Sequence, residues 1–206
     1  MAQAGEPLKR PDWMVGDHAG ADFLNTIDAR GTAQAREHLE DYGDLLRWMK
    51  RAGLMRDAQL RPLRVAAAAA PEKAAQALSE AIRFRETAHR VVTGRAHGQD
   101  VREDDCEYLR SLIEAAREAC PLEWTARGLA AVWRNPKDLR RPLFTVALAM
   151  ADLFEPANFM RVHACAGEDC DWVFLDRSPT QRRRWCHMSA CGNRAKARRL
   201  RVRRAA

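Results

Sequence analysis

Four cysteines near the C-terminal end of this 206-residue chain constrain its folding more than any other feature. They are Cys165, Cys170, Cys186 and Cys191, in the spacing C-x4-C-x15-C-x4-C. Two pairs of thiolates, each presented by a tight turn, supply the four ligands that a tetrahedral zinc ion takes in structural sites. Four protein ligands leave no open position for a substrate. The spacing therefore predicts one structural Zn2+ ion.

Two other uses of this region stay open from the sequence alone. His163 and His187 lie close to cysteines and could replace one of them as a ligand, and the cysteines could instead form a disulfide switch.

The N-terminus has no apolar signal segment, so we expect a cytoplasmic protein in a reducing compartment, where clustered cysteines favour metal over disulfides. The longest apolar run, residues 143–154, is too short to span a bilayer, and no membrane partner is expected.

Positive charge is concentrated in the same region. Residues 161–206 contain 12 Lys/Arg and 4 Asp/Glu, a formal charge of +8, whereas residues 1–160 carry a formal charge of −1. Four thiolates and one Zn2+ ion would subtract two charges. The remaining charge is enough to attract a polyanion over a Debye length of roughly 8–10 Å. Nucleic acid is therefore the first candidate partner, which would make the protein nucleoid-associated.

A basic helix is predicted from about Ser189 to the C-terminus. Cys191 would lie in its first turn, where the helix dipole and free N–H groups favour a thiolate. Arginine suits phosphate and guanine edges, and Arg184-Trp185 offers a stacking surface, so DNA and RNA both remain open. The candidate nucleic-acid contacts are the basic residues of this region: Arg182, Arg183, Arg184, Arg194, Lys196, Arg198, Arg199, Arg201, Arg203 and Arg204.

The chain that precedes the cysteines has the pattern of a helical domain. Apolar residues recur at three- and four-residue steps, which predicts helices over residues 42–54, 57–70, 72–92, 101–119 and 139–154. Residues 121–133 are predicted to form a small β-hairpin that packs on these helices. Residues 1–12 are expected to be a flexible leader. The tryptophans of the helical domain are predicted to pack in the core; they are Trp13, Trp48, Trp124 and Trp133.

A group of polar residues, His18, Asp22 and Asn25, lies at or near the start of a short predicted helix. Such residues commonly cap backbone groups. The alternative is a ligand pocket, in which case the N-terminal domain would be a small-molecule enzyme. The chain has no Walker loop, no G-x-G-x-x-G and no H-E-x-x-H segment, and we expect it not to be an enzyme.

Several of these segments resemble a known family. The cysteine pair Cys165-x4-Cys170, the segments 172–178 and 183–186, and above all Cys191-Gly192-Asn193-Arg194 resemble the CGNR zinc finger over about residues 160–204. In that family the finger follows a mainly helical domain, ABATE, described as a stress-induced transcription regulator, and residues 23–26 and 44–49 resemble its motifs. The resemblance implies that the four cysteines bind zinc and that the finger binds DNA. Residues 17–22 and His187 depart from the commoner pattern, but no ligand is affected.

Together these features predict a mainly α protein with a minor β component. A helical domain over residues 13–156 would contain the small hairpin, and a treble-clef-like zinc knuckle with a basic helix would follow over residues 160–206. The leading hypothesis is a bacterial-type, zinc-dependent DNA-binding transcription regulator of a stress response, whose helical domain senses a signal such as a small-molecule effector or forms a homodimer. The alternative is an RNA-binding or protein-interaction module whose zinc finger is purely structural.

Overall fold

A computed structural model describes residues 14–168 and 170–205 of the chain, with only the backbone of residues 204 and 205. The predicted leader, residues 1–12, lies outside this part. The helices are α1 (Ala19–Leu24), α2 (Tyr42–Arg51), α3 (Asp57–Ala69), α4 (Pro71–Ala96), α5 (Glu103–Ala119), α6 (Arg141–Phe154), α7 (Pro156–Phe159) and α8 (Asn193–Ala205). The strands are β1 (Ile27–Asp28), β2 (Arg36–Glu37), β3 (Leu122–Thr125), β4 (Gly128–Ala131), β5 (Val162–Ala164) and β6 (Val173–Leu175).

The mainly α architecture with minor β structure is confirmed. The strands form three antiparallel pairs, β1 with β2, β3 with β4 and β5 with β6. Local sequence explains where the helices begin: Asp41 and Asp44 form a capping box at the start of α2, and Pro71 occupies the first turn of α4, where its missing N–H has no helical partner. None of the helices in the described part is both long and apolar enough to cross a membrane.

Helix α4 lies at the centre of the main core. It packs against α1, α2, α3, α5 and α6, and its buried face includes Ala81, Phe84 and Ala88, all fully buried. These positions fall at three- and four-residue steps, which is the amphipathic pattern that predicts the helix from sequence. Helix α6 closes the core between α1 and α5. The helical domain is thus built by packing of periodic apolar faces.

The hairpin formed by β5 and β6 is embedded in this same core. Strand β5 packs on α4 and β6 packs on α1. Val162, Val173 and Leu175 have at most 2% of their surface exposed and belong to the main hydrophobic cluster. The first half of the predicted finger therefore uses the helical domain as its support, and this fixes the position of the cysteines that flank the two strands.

The tryptophan predictions had mixed outcomes. Trp48 is 2% exposed and Trp133 packs partly buried against the core, but Trp124 is 83% exposed, so its predicted core position is wrong. All four residues of β3 are exposed, and this strand does not pack on the helices as expected. Trp124 instead faces Leu129 across the β3–β4 ladder. Trp13 lies outside the described residues.

Candidate metal centre and nucleic-acid interface

Three segments bring the array cysteines together: the β5–β6 turn, the loop after β6 and the turn before α8. Cys165 directly follows β5, and Cys170 lies in the turn that leads into β6. Cys186 belongs to the loop after β6, and Cys191 lies in a single π-helical turn, Met188–Gly192, that continues into α8. The strand register pairs Ala164 with Val173. The ladder thereby holds the ends of the first cysteine turn together.

The sulfur positions fit one tetrahedral zinc ion. All four Sγ atoms lie within 4.8 Å of one another; Cys170 and Cys186 are 3.7 Å apart, and Cys186 and Cys191 are 3.5 Å apart. Zinc–sulfur bonds of about 2.3 Å in a tetrahedron require sulfur–sulfur distances of about 3.8 Å. Among the described residues, the cluster contains no histidine: His187 contacts Ser189, and His163 packs near Phe174. The assignment of four cysteine ligands is confirmed.

The electrostatics of the cluster also favour a bound cation. Hydrogen bonds from the Cys170 and Cys186 thiols lower the pKa of Cys165 to about 2. The same hydrogen bonds to Cys165, together with burial, raise the pKa values of Cys170 and Cys186 well above the ordinary thiol range. One thiolate therefore forms readily, and its charge opposes the others. A divalent ion supplies the positive charge that lets all four cysteines bind as thiolates.

Each residue of the tetrapeptide from Cys191 to Arg194 has a separate role beside this centre. Cys191 is a ligand. A Cβ at Gly192 would lie 2.5 Å from the Met188 sulfur and 3.3 Å from Trp185 Cδ1, so only glycine leaves both side chains in place. Asn193 Nδ2 donates to the carbonyl of Ser189 at 3.2 Å and joins the π-helical turn to α8. Arg194 donates to Cys191 Sγ at 3.0 Å, which stabilises the thiolate charge.

The segment that follows Cys170 faces the helical domain. Asp171 accepts a hydrogen bond from Arg30 at 2.7 Å, and Arg30 also bonds Glu86 of α4 at 2.8 Å. His89 of α4 contacts the Asp171 carbonyl oxygen at 2.9 Å. The Trp172 indole donates to the carbonyl of Ile27 at 3.2 Å. This half of the metal centre is bound to the protein body, as its acidic charge and apolar neighbours suggest.

Three of the predicted nucleic-acid contacts are engaged within the protein. Arg183 donates to the carbonyls of Val15 and Trp185, both at 3.0 Å, pairs with Asp17, and lies over the Phe174 ring. Arg194 bonds the Cys191 sulfur, and Arg198 pairs with Glu168. For Arg183 and Arg198 the charge composition gives no sign of this, because their carboxylate partners Asp17 and Glu168 lie far away in the chain.

The other cations extend outward. Arg184 is exposed, with its guanidinium carbon 5.5 Å from the Trp185 ring centroid. Of the α8 residues whose side chains are described, only Ala195 is half-buried and all others are exposed. The Arg204 side chain lies outside the described part. Within that part, five of the predicted contact residues are exposed without an ion pair or a hydrogen-bond partner: Arg182, Lys196, Arg199, Arg201 and Arg203.

The three residues of the predicted ligand pocket lie on or beside α1, and each is bonded to protein groups. His18 caps α1 by accepting from the Gly20 N–H at 3.0 Å, and its Nε2 contacts Asp152 at 2.8 Å. Asp22 accepts from the Gly16 N–H at 2.8 Å. Asn25 is fully buried; its amide donates to the Val173 carbonyl and accepts from the Val173 N–H, both at 2.9 Å. These bonds tie α1 to α6 and β6.

Replacing Asn25 with alanine is expected to destabilise the protein by about 2–4 kcal/mol, because both Val173 backbone groups would be left buried without partners. The Asn25→Asp variant should be similarly harmful, since a carboxylate cannot donate to the Val173 carbonyl. Urea unfolding followed by circular dichroism measures the change. Asn158→Ala is the matched control, because Asn158 is only half-buried and bonds Asp152, an exposed residue, and it should cost less than about 1 kcal/mol. Equal effects of both substitutions would contradict a structural role for Asn25.

Comparison with known protein families agrees with these observations. A family model for the CGNR zinc finger matches residues 161–204. The ABATE model, described as "Putative stress-induced transcription regulator", matches residues 17–155. A search of curated proteins found no match. The two matched domains follow one another in the order expected from the sequence, and the four cysteines form one structural zinc site. Because the ABATE match covers more than half of the residues, the chain belongs to the ABATE family, with a CGNR zinc finger at its C-terminal end.

Proposed function

We propose that this protein is a zinc-dependent DNA-binding transcription regulator. The observation that carries the proposal is the state of α8: its described side chains are almost all exposed, and its free cations extend from a turn that contains a zinc ligand. A row of cations on a solvent-exposed helix is costly to bring together unless a polyanion neutralises it. In this proposal zinc fixes the helix, and Lys196, Arg199 and Arg203 contact phosphates.

We further propose that the ABATE domain regulates by binding, not by catalysis, and that it senses a signal or forms a homodimer. The hydrogen bonds of His18, Asp22 and Asn25 to other protein groups support a structural use of these residues. The family description supports a regulatory role. DNA is favoured over an acidic protein as the partner because most of the free cations are arginines, whose planar forks suit phosphate groups.

The salt dependence of DNA binding tests this proposal. If about five cations meet phosphates, the logarithm of the association constant should fall with the logarithm of salt concentration with a slope of about −4.5. That slope corresponds to about 500-fold weaker binding at 200 mM than at 50 mM salt. Fluorescence anisotropy with a labelled random-sequence duplex and zinc-loaded protein measures it. An affinity independent of salt, or no binding to any duplex, would contradict the proposal.

A charge-matched pair of variants locates the contact surface. The triple variant Lys196→Gln, Arg199→Gln and Arg203→Gln should reduce the magnitude of the slope by about 2.7, because three phosphate contacts are lost. The control variant Arg61→Gln, Arg64→Gln and Arg127→Gln removes the same charge from exposed positions of the ABATE domain, and its slope should stay unchanged. Competition of the labelled duplex with RNA and with an acidic peptide then distinguishes DNA from these two other classes of partner. Selection of bound sequences from a random duplex pool tests whether the protein reads bases.

A further inference from the structure

Residues 182–188 form a cleft next to the N-terminal end of α8. The phosphate contacts proposed above do not involve this cleft. Its volume is about 500 Å3, within the range of about 300–1,000 Å3 that is usual for sites of small organic groups. The half-buried indole of Trp185 and the exposed thioether of Met188 supply its apolar wall. Arg182 and Arg184, both exposed, supply positive charge at the same cleft. An apolar site bordered by cations suits a flat aromatic group attached to an anion.

The aromatic wall is held in position by its surroundings. Arg183 donates to the carbonyls of Trp185 and Cys186 and is itself anchored to Val15 and Asp17. The Trp185 ring packs against the cysteine cluster. Gly192 also approaches Trp185 closely, with 3.3 Å between the position of a Cβ and Trp185 Cδ1. The indole therefore needs little reordering to receive a stacking partner, which reduces the entropic cost of binding.

A row of cations leads from this cleft along α8. At about 100° per residue, positions 196, 199 and 203 fall within a stripe roughly 60° wide on one face of α8, and Gly192 lies in the π-helical turn that leads into this helix. Gly192 is the residue that contacts Trp185 and Met188, and Lys196, Arg199 and Arg203 are free cations. A DNA strand whose phosphates follow this stripe toward the N-terminal end of α8 therefore reaches the cleft.

We propose that the cleft receives one unpaired nucleobase, stacked on Trp185, from the DNA strand whose phosphates contact the α8 stripe. The inference rests on the DNA binding proposed above and adds a preference for DNA with an unpaired base beside a duplex. A paired base has both faces covered by its neighbours, whereas an unpaired base can leave the stack at the lowest cost. Stacking on an aromatic side chain with a nearby arginine accepts any base, because every base has a π-face.

Binding of three duplexes of equal length to the zinc-loaded full chain tests the proposal. One duplex is fully paired, one carries a single-base bulge, and one carries an abasic bulge. The single-base bulge should bind about 10-fold more tightly than the other two, which is within the contribution of one base stacked on an aromatic residue. With 2-aminopurine as the bulged base, fluorescence should be quenched on binding. Equal affinity for all three duplexes, with no quenching, would overturn the proposal.

Variants connect the preference to the cleft. Trp185→Ala should remove the 10-fold preference and the quenching, whereas Trp185→Phe should retain most of both. Trp124→Ala is the control, because Trp124 is an exposed tryptophan on the β3–β4 hairpin. A preference that survives Trp185→Ala would overturn the proposal. If Trp185→Ala does not hold zinc, the quenching of 2-aminopurine by the unaltered protein still decides the matter.

The outcomes separate this inference from the proposed function. No binding to any DNA ends both. Tight, salt-dependent binding to the paired duplex without a bulge preference supports the proposed function and overturns only the cleft proposal. An RNA stem with the same bulge is the last arm, and tighter binding of that RNA than of the DNA would overturn the assignment to DNA.

Discussion

Replacing Cys186 with serine is expected to remove zinc from the protein and to detach α8 from it. Cys186 is 1% exposed, and its Sγ lies within 3.7 Å of Cys170 and 3.5 Å of Cys191, so its loss leaves three thiolates where tetrahedral zinc needs four ligands. Metal binding supplies folding free energy in such small modules, with apparent values of about 10–16 kcal/mol. Zinc content should fall from one ion per chain toward zero.

The loss of structure should stop at the β5–β6 hairpin. Val162, Val173 and Leu175 belong to the core of the ABATE domain, so hydrogen exchange should lose protection in residues 176–203 and keep it in α4, α6 and the hairpin. DNA affinity should fall by about 100-fold or more, because refixing even a few residues of α8 costs about 1–2 kcal/mol each.

Cys106→Ser is the matched control, since Cys106 is exposed and lies outside the zinc cluster; it should change neither zinc content nor binding. Mass spectrometry of hydrogen exchange, zinc analysis and anisotropy give the three measurements. Full zinc content in Cys186→Ser would contradict the ligand assignment. Loss of protection throughout α4 would mean that the finger and the ABATE domain unfold as one unit.

The zinc site and the long helices could be predicted from sequence because both follow from local spacing. Cys165 and Cys170 lie in one turn, and tetrahedral zinc has few other ways to use two such pairs. The faces of α4 and α5 follow a helical period that each segment carries by itself. In such cases the physical cause lies within one continuous segment of the chain, and the sequence alone displays it.

Other features depend on contacts between distant segments, which no local pattern records. Asn25 pairs with Val173, a residue 148 positions away. Arg183 and Arg198 lie in a basic stretch that is typical of free surface cations. Each of them nevertheless pairs with a carboxylate from a distant segment of the chain. Trp124 has the apolar character of a core residue, but its strand is exposed on all four residues. The sequence therefore predicted which region is basic, whereas only the structure separates cations that hold the fold from cations that are free.

The ion-pair network around Arg85 is another feature of this kind, and no sequence motif predicts it. Arg85 is 1% exposed. Its guanidinium bonds both carboxylate oxygens of Glu37, at 2.7 and 2.6 Å, as well as Glu86 at 2.8 Å and the Thr26 hydroxyl at 2.9 Å. Burial by itself disfavours the charged guanidinium, but the hydrogen bonds and negative charges of Glu37 and Glu86 together outweigh it and raise the pKa of Arg85. The network joins α4 to the β1–β2 region.

We expect Arg85→Met to destabilise the ABATE domain by about 3 kcal/mol. This value is the lower end of the range for breaking a buried ion pair, because Glu37 and Glu86 keep partial access to water. Arg110→Met is the matched control: Arg110 also bonds two glutamates, Glu107 and Glu114, but it is 58% exposed, and exposed pairs contribute about 0–1 kcal/mol. Urea unfolding measures both. Similar losses in the two variants would contradict a decisive role for burial.

The same variant should also change the response to acid. Arg30 and Arg85 overcome the effect of burial and hold the pKa of Glu86 below its ordinary value of 4.5. A carboxyl group with a lowered folded-state pKa contributes stability that is present above its unfolded pKa and is lost as the pH falls through the folded-state value. In Arg85→Met the pKa of Glu86 should rise, so acid unfolding should begin at a higher pH than in the unaltered protein. An unchanged acid transition, measured by circular dichroism between pH 6 and pH 2, would contradict this coupling.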